Sequence, residues 1–207
     1  MKTKILHDKD PECIAYAQKV VREGGIVAFP TDTVYGIGVS AFDNRAIQKL
    51  YAVKKRAERK AIPILIAETS HLHNLISTPP PQAKRLMEHY WPGPLTLVLP
   101  AKTTLPPALS PEPTVGIRIP DSRFTRELLR ATGPLAATSA NLSGKPSAQT
   151  PEDVITQFTD HIELIIDGGE TPGERASTVV DCTSTSLRIL RHGPISADEI
   201  RTVWGSS

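Results

Sequence analysis

The chain has 207 residues, 24 Lys+Arg against 22 Asp+Glu for a net charge of +2, and 39% hydrophobic residues. That length fits one domain or two small ones, the balance excludes a disordered tail, and no apolar run approaches the ~20 residues of a membrane span. Asp8 precedes any long apolar stretch, so no secretory signal is visible; Cys13 and Cys182 form no CxxC, which excludes a thiolate zinc site and a disulfide scaffold and predicts a cytoplasmic location.

In chain order, Asp10 is placed to cap a first helix, with Pro11 in its first turn. Cys13, Ala17, Val20 and Val21 give the apolar stripe, and Gly24-Gly25 ends it. Gly25-Ile26-Val27-Ala28-Phe29 reads as a short buried strand stopped by Pro30, followed by a turn-rich segment. Asp43 caps a second helix whose face is Ala46, Ile47, Leu50 and Tyr51. A basic stretch, Lys54-Lys55-Arg56-Ala57-Glu58-Arg59-Lys60, leads into the apolar run 62–67, where Pro63 predicts an edge or the start of a strand.

A third helix is predicted over 81–90, then strands over 95–99, 115–119 and 135–138, with a short helix near 122–130 between the last two. Thr150-Pro151-Glu152-Asp153 is a helix start, and Ser196-Ala197-Asp198-Glu199 has the capping-box pattern. Strands over 164–166, 178–181 and 187–190 lie between them, the last two as a hairpin. Helices and strands alternate early and strands crowd late, which predicts one α/β domain with a mixed sheet. The Pro-rich pieces Pro79-Pro80-Pro81 and 105–113 read as loops, and proline is abundant at 19 residues.

Several chemistries are absent: the chain has no GxxxxGK[ST], no HExxH and no G-x-S-x-G. His71 and His73 are the closest histidine pair and read as a solvated segment rather than a metal site. Gly36-Ile37-Gly38-Val39-Ser40-Ala41 matches a loose dinucleotide fingerprint but lacks its strand–turn–helix context. More informative are the cations. Lys54 and Arg56 sit at a helix end leading into a strand, Arg118 lies inside an apolar strand, and Arg191 ends another. A half-buried guanidinium needs a carboxylate or a phosphate, so several strand-end cations without equally placed acids predict an anionic ligand. The small-residue strand end Ala136-Ala137-Thr138-Ser139-Ala140-Asn141 and the segment Thr31-Asp32-Thr33-Val34-Tyr35-Gly36 add hydroxyl and amide groups. Cations with hydroxyls, and no nucleophile or general-base histidine, suggest phosphate chemistry by positioning and charge neutralisation.

Phe29-Pro30-Thr31-Asp32-Thr33-Val34-Tyr35-Gly36, the Lys54/Arg56 pair, Trp91-Pro92-Gly93-Pro94-Leu95-Thr96, Val115-Gly116-Ile117-Arg118, Ser139-Ala140-Asn141-Leu142-Ser143-Gly144, Ser177-Thr178-Val179-Val180-Asp181 and Leu190-Arg191-His192-Gly193 together resemble the YrdC-like family. They run in family order over nearly the whole chain. The resemblance implies an open, twisted, mixed α/β sheet with flanking helices and a cationic concave face. It implies a single domain over 1–207, its motifs within about 10–200, in the short form without a further C-terminal domain. The activity it implies is that of a threonylcarbamoyl-AMP synthase, which joins L-threonine, bicarbonate or CO2, and ATP into threonylcarbamoyl-adenylate with release of pyrophosphate, aided by magnesium. The product then goes to proteins that modify an adenosine beside the tRNA anticodon, with direct binding of tRNA or double-stranded RNA as a further expectation.

Carried over by position, Lys54 and Arg56 match the family's KxR pair, and Ser139 and Asn141 its SxN pair; these four are the expected catalytic set on the ATP phosphates. Lys60, Thr114, Ser147 and Arg191 would add nucleotide contacts. Thr33, Arg118 and Ser177 would line the threonine pocket, with Arg118 forking the carboxylate. No protein metal ligand is implied. Ala57 stands where the family has Pro, and Ala61-Ile62-Pro63 replaces its Lys-Pro-Leu. Two other readings of the fold are a non-catalytic RNA-binding module and a paralogue making another carbamoyl-adenylate, as in hydrogenase maturation.

Overall fold

The computed structural model describes residues 2–57, 60–173 and 175–205. Among these described residues ten strands form one mixed sheet: β1 (Lys4–His7), β2 (Val27–Phe29), β3 (Gly36–Ser40), β4 (Ile64–Leu65), β5 (Leu95–Pro100), β6 (Thr114–Arg118), β7 (Leu135–Ser139), β8 (Leu164–Asp167), β9 (Thr178–Asp181) and β10 (Arg188–Arg191), in the order β1-β8-β2-β3-β7-β4-β6-β5-β9-β10. The pairs β1/β8, β2/β8, β4/β6 and β5/β9 are parallel and the others antiparallel.

Among the described residues six α-helices flank it: α1 (Cys13–Arg22), α2 (Asn44–Lys54), α3 (Pro81–Tyr90), α4 (Arg123–Thr132), α5 (Pro151–Phe158) and α6 (Ala197–Gly205). Their ends follow the sequence signals closely. Asp43 accepts from the N–H groups of Arg45 and Ala46 at 2.9 and 3.0 Å to cap α2. Thr150 and Asp153 form a reciprocal capping box on α5, and Ser196 with Glu199 does the same for α6. Asp10 is the exception. Its carboxylate takes the N–H of Glu12, and α1 begins one residue later.

The sheet divides its side chains by strand alternation. Ile26 and Ala28 face a large core with α2, α3, α5 and α6, whereas Val27 and Phe29 face a smaller one under α1 and α4. The stripe Cys13, Ala17, Val20, Val21 is the buried face of α1, as its spacing predicts. In β6 and β5 the same alternation gives Val115, Ile117, Leu97 and Leu99 to the large core. Their alternates Thr114, Gly116, Arg118, Thr96 and Val98 line an open cavity instead. Leu65 and Ala137 belong both to the smaller core and to that cavity wall, so the cavity continues the face that α1 and α4 cover elsewhere.

One local expectation changes and two are met in part. The turn-rich segment contains β3, whose Gly36 and Gly38 serve strand packing: a Cβ on Gly36 would sit 3.0 Å from the Phe29 ring, and one on Gly38 3.1 Å from the Ala136 carbonyl. The run behind Pro63 supplies an interior strand, β4, between β6 and β7, so it is no edge; Pro63 stands at its start, where it lacks an N–H but its carbonyl still accepts from Ala137 N at 2.9 Å. In the Pro79–Pro81 run, Pro81 is the first residue of α3, where its missing N–H is harmless. Among the described residues no helix is long and apolar enough to cross a membrane.

Candidate active site

The cavity has a volume of about 300 Å³ and is walled by β5, β6, β7, β9 and β10, and by the segment between β2 and β3. Arg56, Arg118 and Arg191 all line it, with the hydroxyls of Thr31, Thr33, Thr96, Thr114, Ser139 and Ser177.

At one end, Arg118 closes β6 and is buried. Its Nε donates to the Gly93 carbonyl at 2.9 Å, Nη1 to Thr33 Oγ1 at 3.0 Å, and Nη2 to Asp32 Oδ1 at 2.5 Å. Burial lowers the pKa of the guanidinium and the Asp32 carboxylate opposes that shift. The turn Trp91-Pro92-Gly93-Pro94 presents the Gly93 carbonyl because Gly93 N is tied to Ile119 O at 2.8 Å, and Trp91 Nε1 to Leu95 O at 2.8 Å. Gly173 packs directly on the Thr33 backbone, where a Cβ would lie 2.6 Å from Thr33 Cα.

At the C-terminal strands, Arg191 Nε donates to Ser177 O at 2.9 Å and Nη2 to Ser177 Oγ at 3.0 Å. Ser177 Oγ also contacts Thr96 Oγ1 at 2.7 Å. Burial lowers the Arg191 pKa, and the cations Arg118 and Arg56 lower it further, so both guanidiniums act on Arg191 across the cavity. Among the described residues neither Arg56 nor Arg191 has a carboxylate within 4.0 Å. An anion entering here would relieve that repulsion.

Lys54 is not on the cavity wall. Leu50 and Tyr51 on the buried face of α2 are followed by Lys54 at i+4 and i+3, so the helix period turns it inward. Its Nζ donates to the carbonyls of Ser139 and Asn141, the latter at 2.6 Å. Burial, and secondarily Arg56, bring its pKa down to about 7. Asn141 is likewise internal. It accepts from Ser139 Oγ at 2.5 Å and donates to Leu142 O and Lys145 O at 2.9 and 2.7 Å. The two residues brace the turn after β7 and so fix Ser139, which does line the cavity. Arg56 reaches back to Lys60 O at 3.2 Å and Ala61 O at 2.9 Å, holding the start of the segment that leads to β4.

The structure therefore gathers Thr33, Arg56, Thr114, Arg118, Ser139, Ser177 and Arg191 around one cavity. Lys54, Lys60, Asn141 and Ser147 lie outside its lining; Lys60 is exposed and Ser147 half-buried. Glu58 and Arg59 of the basic stretch fall outside the described residues. The expectation that the cations lack matching acids is corrected for Arg118, whose partner is Asp32. That acid stands inside a quoted motif, and a strand-interior arginine was the signal that could have singled it out. Thr96 and Thr31 were also missed, although strand alternation in β5 puts Thr96 on the cavity face. His71 and His73 lie in a 3-10 turn, and among the described residues no group of His, Cys, Asp and Glu is placed to hold a metal.

The sequence and the fold are similar to those of known proteins. Residues 19–193 match the family profile Sua5_yciO_yrdC, described as "Telomere recombination". A threonylcarbamoyl-AMP synthase of Bacillus subtilis is 43% identical over 209 residues, covering 98% of this chain and 59% of that protein. The crystal structure of Pyrococcus abyssi Sua5 complexed with L-threonine superposes with a TM-score of 0.93 at 38% identity, over 99% of this chain and 61% of that one. The E. coli YciO structure superposes at 0.86 with 26% identity, over 96% and 99%. The chain thus spans about three fifths of the length of the Bacillus and Pyrococcus proteins. Its motifs, its sheet and the profile match agree: the chain belongs to the Sua5/YciO/YrdC family.

Proposed function

We propose that this chain is an L-threonylcarbamoyladenylate synthase, an adenylyl-transferring enzyme that uses L-threonine, bicarbonate or CO2, and ATP. The observation that carries the proposal is the meeting of Arg56, Arg118 and Arg191 in one hydroxyl-lined cavity, a donor set suited to a carboxylate at one end and phosphates beside it. The names of the Bacillus relative and of the threonine-bound Pyrococcus structure support the same reading.

In this mechanism Arg118 takes the threonine carboxylate and Ser177 and Thr33 border the amino acid. Its amine adds to CO2 to give an N-carboxylate, with loss of a proton. That carboxylate attacks the α-phosphorus of ATP in line, the bond to the bridging oxygen breaks, and pyrophosphate leaves. Arg56, Arg191 and Ser139 neutralise and orient the phosphates, while Lys54 and Asn141 hold Ser139 in place. The protein needs no nucleophile of its own. Among the described residues the cavity lining carries cations and hydroxyls and no carboxylate, and Asp32 beside it is engaged by Arg118, so these residues do not form a resident metal site; magnesium would arrive with the nucleotide. The adenylate would pass to a tRNA threonylcarbamoyl-transfer protein.

The test is pyrophosphate release by the purified chain. Release that requires threonine, bicarbonate and ATP together is the expected result. A folded protein that releases none with magnesium present would refute the assignment.

A further inference from the structure

The segment between β8 and β9 runs along the rim of the cavity and is pinned at several points. Tyr35 Oη accepts from Gly168 N at 3.1 Å and donates to Gly169 O at 2.7 Å. Thr171 gives both its N–H and its hydroxyl to Gln149 O, at 2.9 and 3.1 Å. Gly173 lies so close to Thr33 that a Cβ on it would stand 2.4 Å from the Thr33 carbonyl oxygen. At the other end Gly193 is pressed on the next stretch of backbone, where its Cβ would be 2.6 Å from Ala176 O. Ala176 and Ser177 then join the cavity wall.

Arg175 stands between these anchors. Its side chain is exposed, and among the described residues it has no carboxylate within 4.0 Å. It neither lines the cavity nor belongs to the cations that depress the Arg191 pKa. The fold thus holds the backbone of this residue at the rim and leaves its cation uncommitted, the usual arrangement of a binding loop on a rigid scaffold.

Its reach follows from the chain. Two residues span at most about 7 Å, so the Arg175 Cα lies within that distance of the Ser177 Cα. Ser177 is the residue whose carbonyl and hydroxyl hold the Arg191 guanidinium, at 2.9 and 3.0 Å. An arginine side chain is long enough to cross that gap. Electrostatics decides when it does. A further guanidinium beside Arg191 would add to the repulsion already exerted there by Arg118 and Arg56, whereas outside the cavity water solvates it. A polyphosphate reverses the balance. Pyrophosphate, free or as the β and γ groups of ATP, carries more negative charge than Arg56 and Arg191 supply, and a guanidinium fork matches a pair of phosphate oxygens.

We propose that Arg175 is a further polyphosphate-binding residue, which folds in beside Arg191 onto the pyrophosphate part of the nucleotide. This rests on the phosphate reading of the cavity above and adds to it a residue that stands outside the cavity wall. Its contact is with the group that leaves, so it bears on ATP and pyrophosphate and not on threonine.

The experiment titrates the 207-residue chain calorimetrically with inorganic pyrophosphate and with L-threonine. Arg175→Ala should weaken pyrophosphate by about 10-fold, the scale of a hydrogen bond between charged groups, and leave threonine unchanged. Arg175→Glu should weaken pyrophosphate further. In steady-state turnover the KM for ATP should rise in Arg175→Ala while that for threonine stays. The side chain has no ion pair to lose, so the thermal midpoint of Arg175→Ala should match that of the wild type, which separates lost binding from lost folding. Pyrophosphate binding to Arg175→Ala at wild-type strength would overturn the inference, and so would equal losses for both ligands. A wild-type chain that binds threonine but no pyrophosphate would instead overturn the phosphate reading of the cavity, and this inference with it.

Discussion

Lys54 carries a pH signature that its substitution should remove. The side chain is 2% exposed, and its partners are carbonyls that cannot compensate a full positive charge as a carboxylate would. Burial first, and Arg56 second, lower its pKa from 10.5 to about 7. That drop corresponds to roughly 5 kcal/mol of stability withheld while the buried amine is protonated. The sign follows from proton counts. Below about pH 7 folded and unfolded chains both hold the proton and the full penalty applies. Between about pH 7 and 10.5 the unfolded chain keeps a proton that the folded chain has released, so stability rises with pH. Integrated between about pH 6 and pH 9, the rise is roughly 2–3 kcal/mol. In Lys54→Met this contribution is absent, while every other titrating group is common to both proteins and cancels in the difference. Urea unfolding of both chains across this range measures it. A wild-type stability that gains on the variant by that amount as pH rises is the expected outcome. A difference that stays flat would show that Lys54 keeps its proton throughout, and the reasoning about its burial would fall.

Asp32→Ala should destabilise the chain by about 3–5 kcal/mol, because it leaves the buried Arg118 without its counter-charge; thermal unfolding should show threonine restoring part of the loss, and an unchanged midpoint would contradict the pairing. Gly193→Ala should lose about 1–3 kcal/mol, since its Cβ would lie 2.5 Å from Ser177 C and 2.6 Å from Ala176 O, backbone that cannot yield as a side chain does. Its urea midpoint measures this. Tyr35→Phe removes a hydroxyl that accepts from Gly168 N at 3.1 Å and donates to Gly169 O at 2.7 Å. Faster amide exchange at Gly168 and a loss of about 1–3 kcal/mol are expected, and exchange at the wild-type rate would show that the bond is not formed in solution.

Local signals in the sequence carried most of the elements. Capping residues Asp43, Thr150 and Ser196 and the apolar spacings of α1 and α2 depend on neighbours within a few positions, and these were legible. Strand pairing was not. β1 is four residues with a half-exposed pattern, and β3 is rich in glycine and serine; β1 is a strand because β8 offers it a partner more than ninety residues away, and β3 because it fits between β2, its neighbour in the chain, and β7, also more than ninety residues away. The site divides in the same way. The motifs named the residues that reach the cavity, but whether a side chain faces ligand or core depends on periodicity, and this separates buried Lys54 from Arg56 two positions on. Asp32 could be read only once the position of Arg118 was known.

The strand order has a kinetic consequence. Thr33 follows β2, Ser139 ends β7, and Arg191 ends β10 at the far edge of the sheet, so the cavity draws on widely separated parts of the chain. Pairings such as Val27 with Leu164 close long loops, which makes for slow, high-contact-order folding. Because the cavity wall joins strands from the middle of the sheet to its β10 edge, a bound ligand should protect the sheet as a unit against unfolding rather than a single loop.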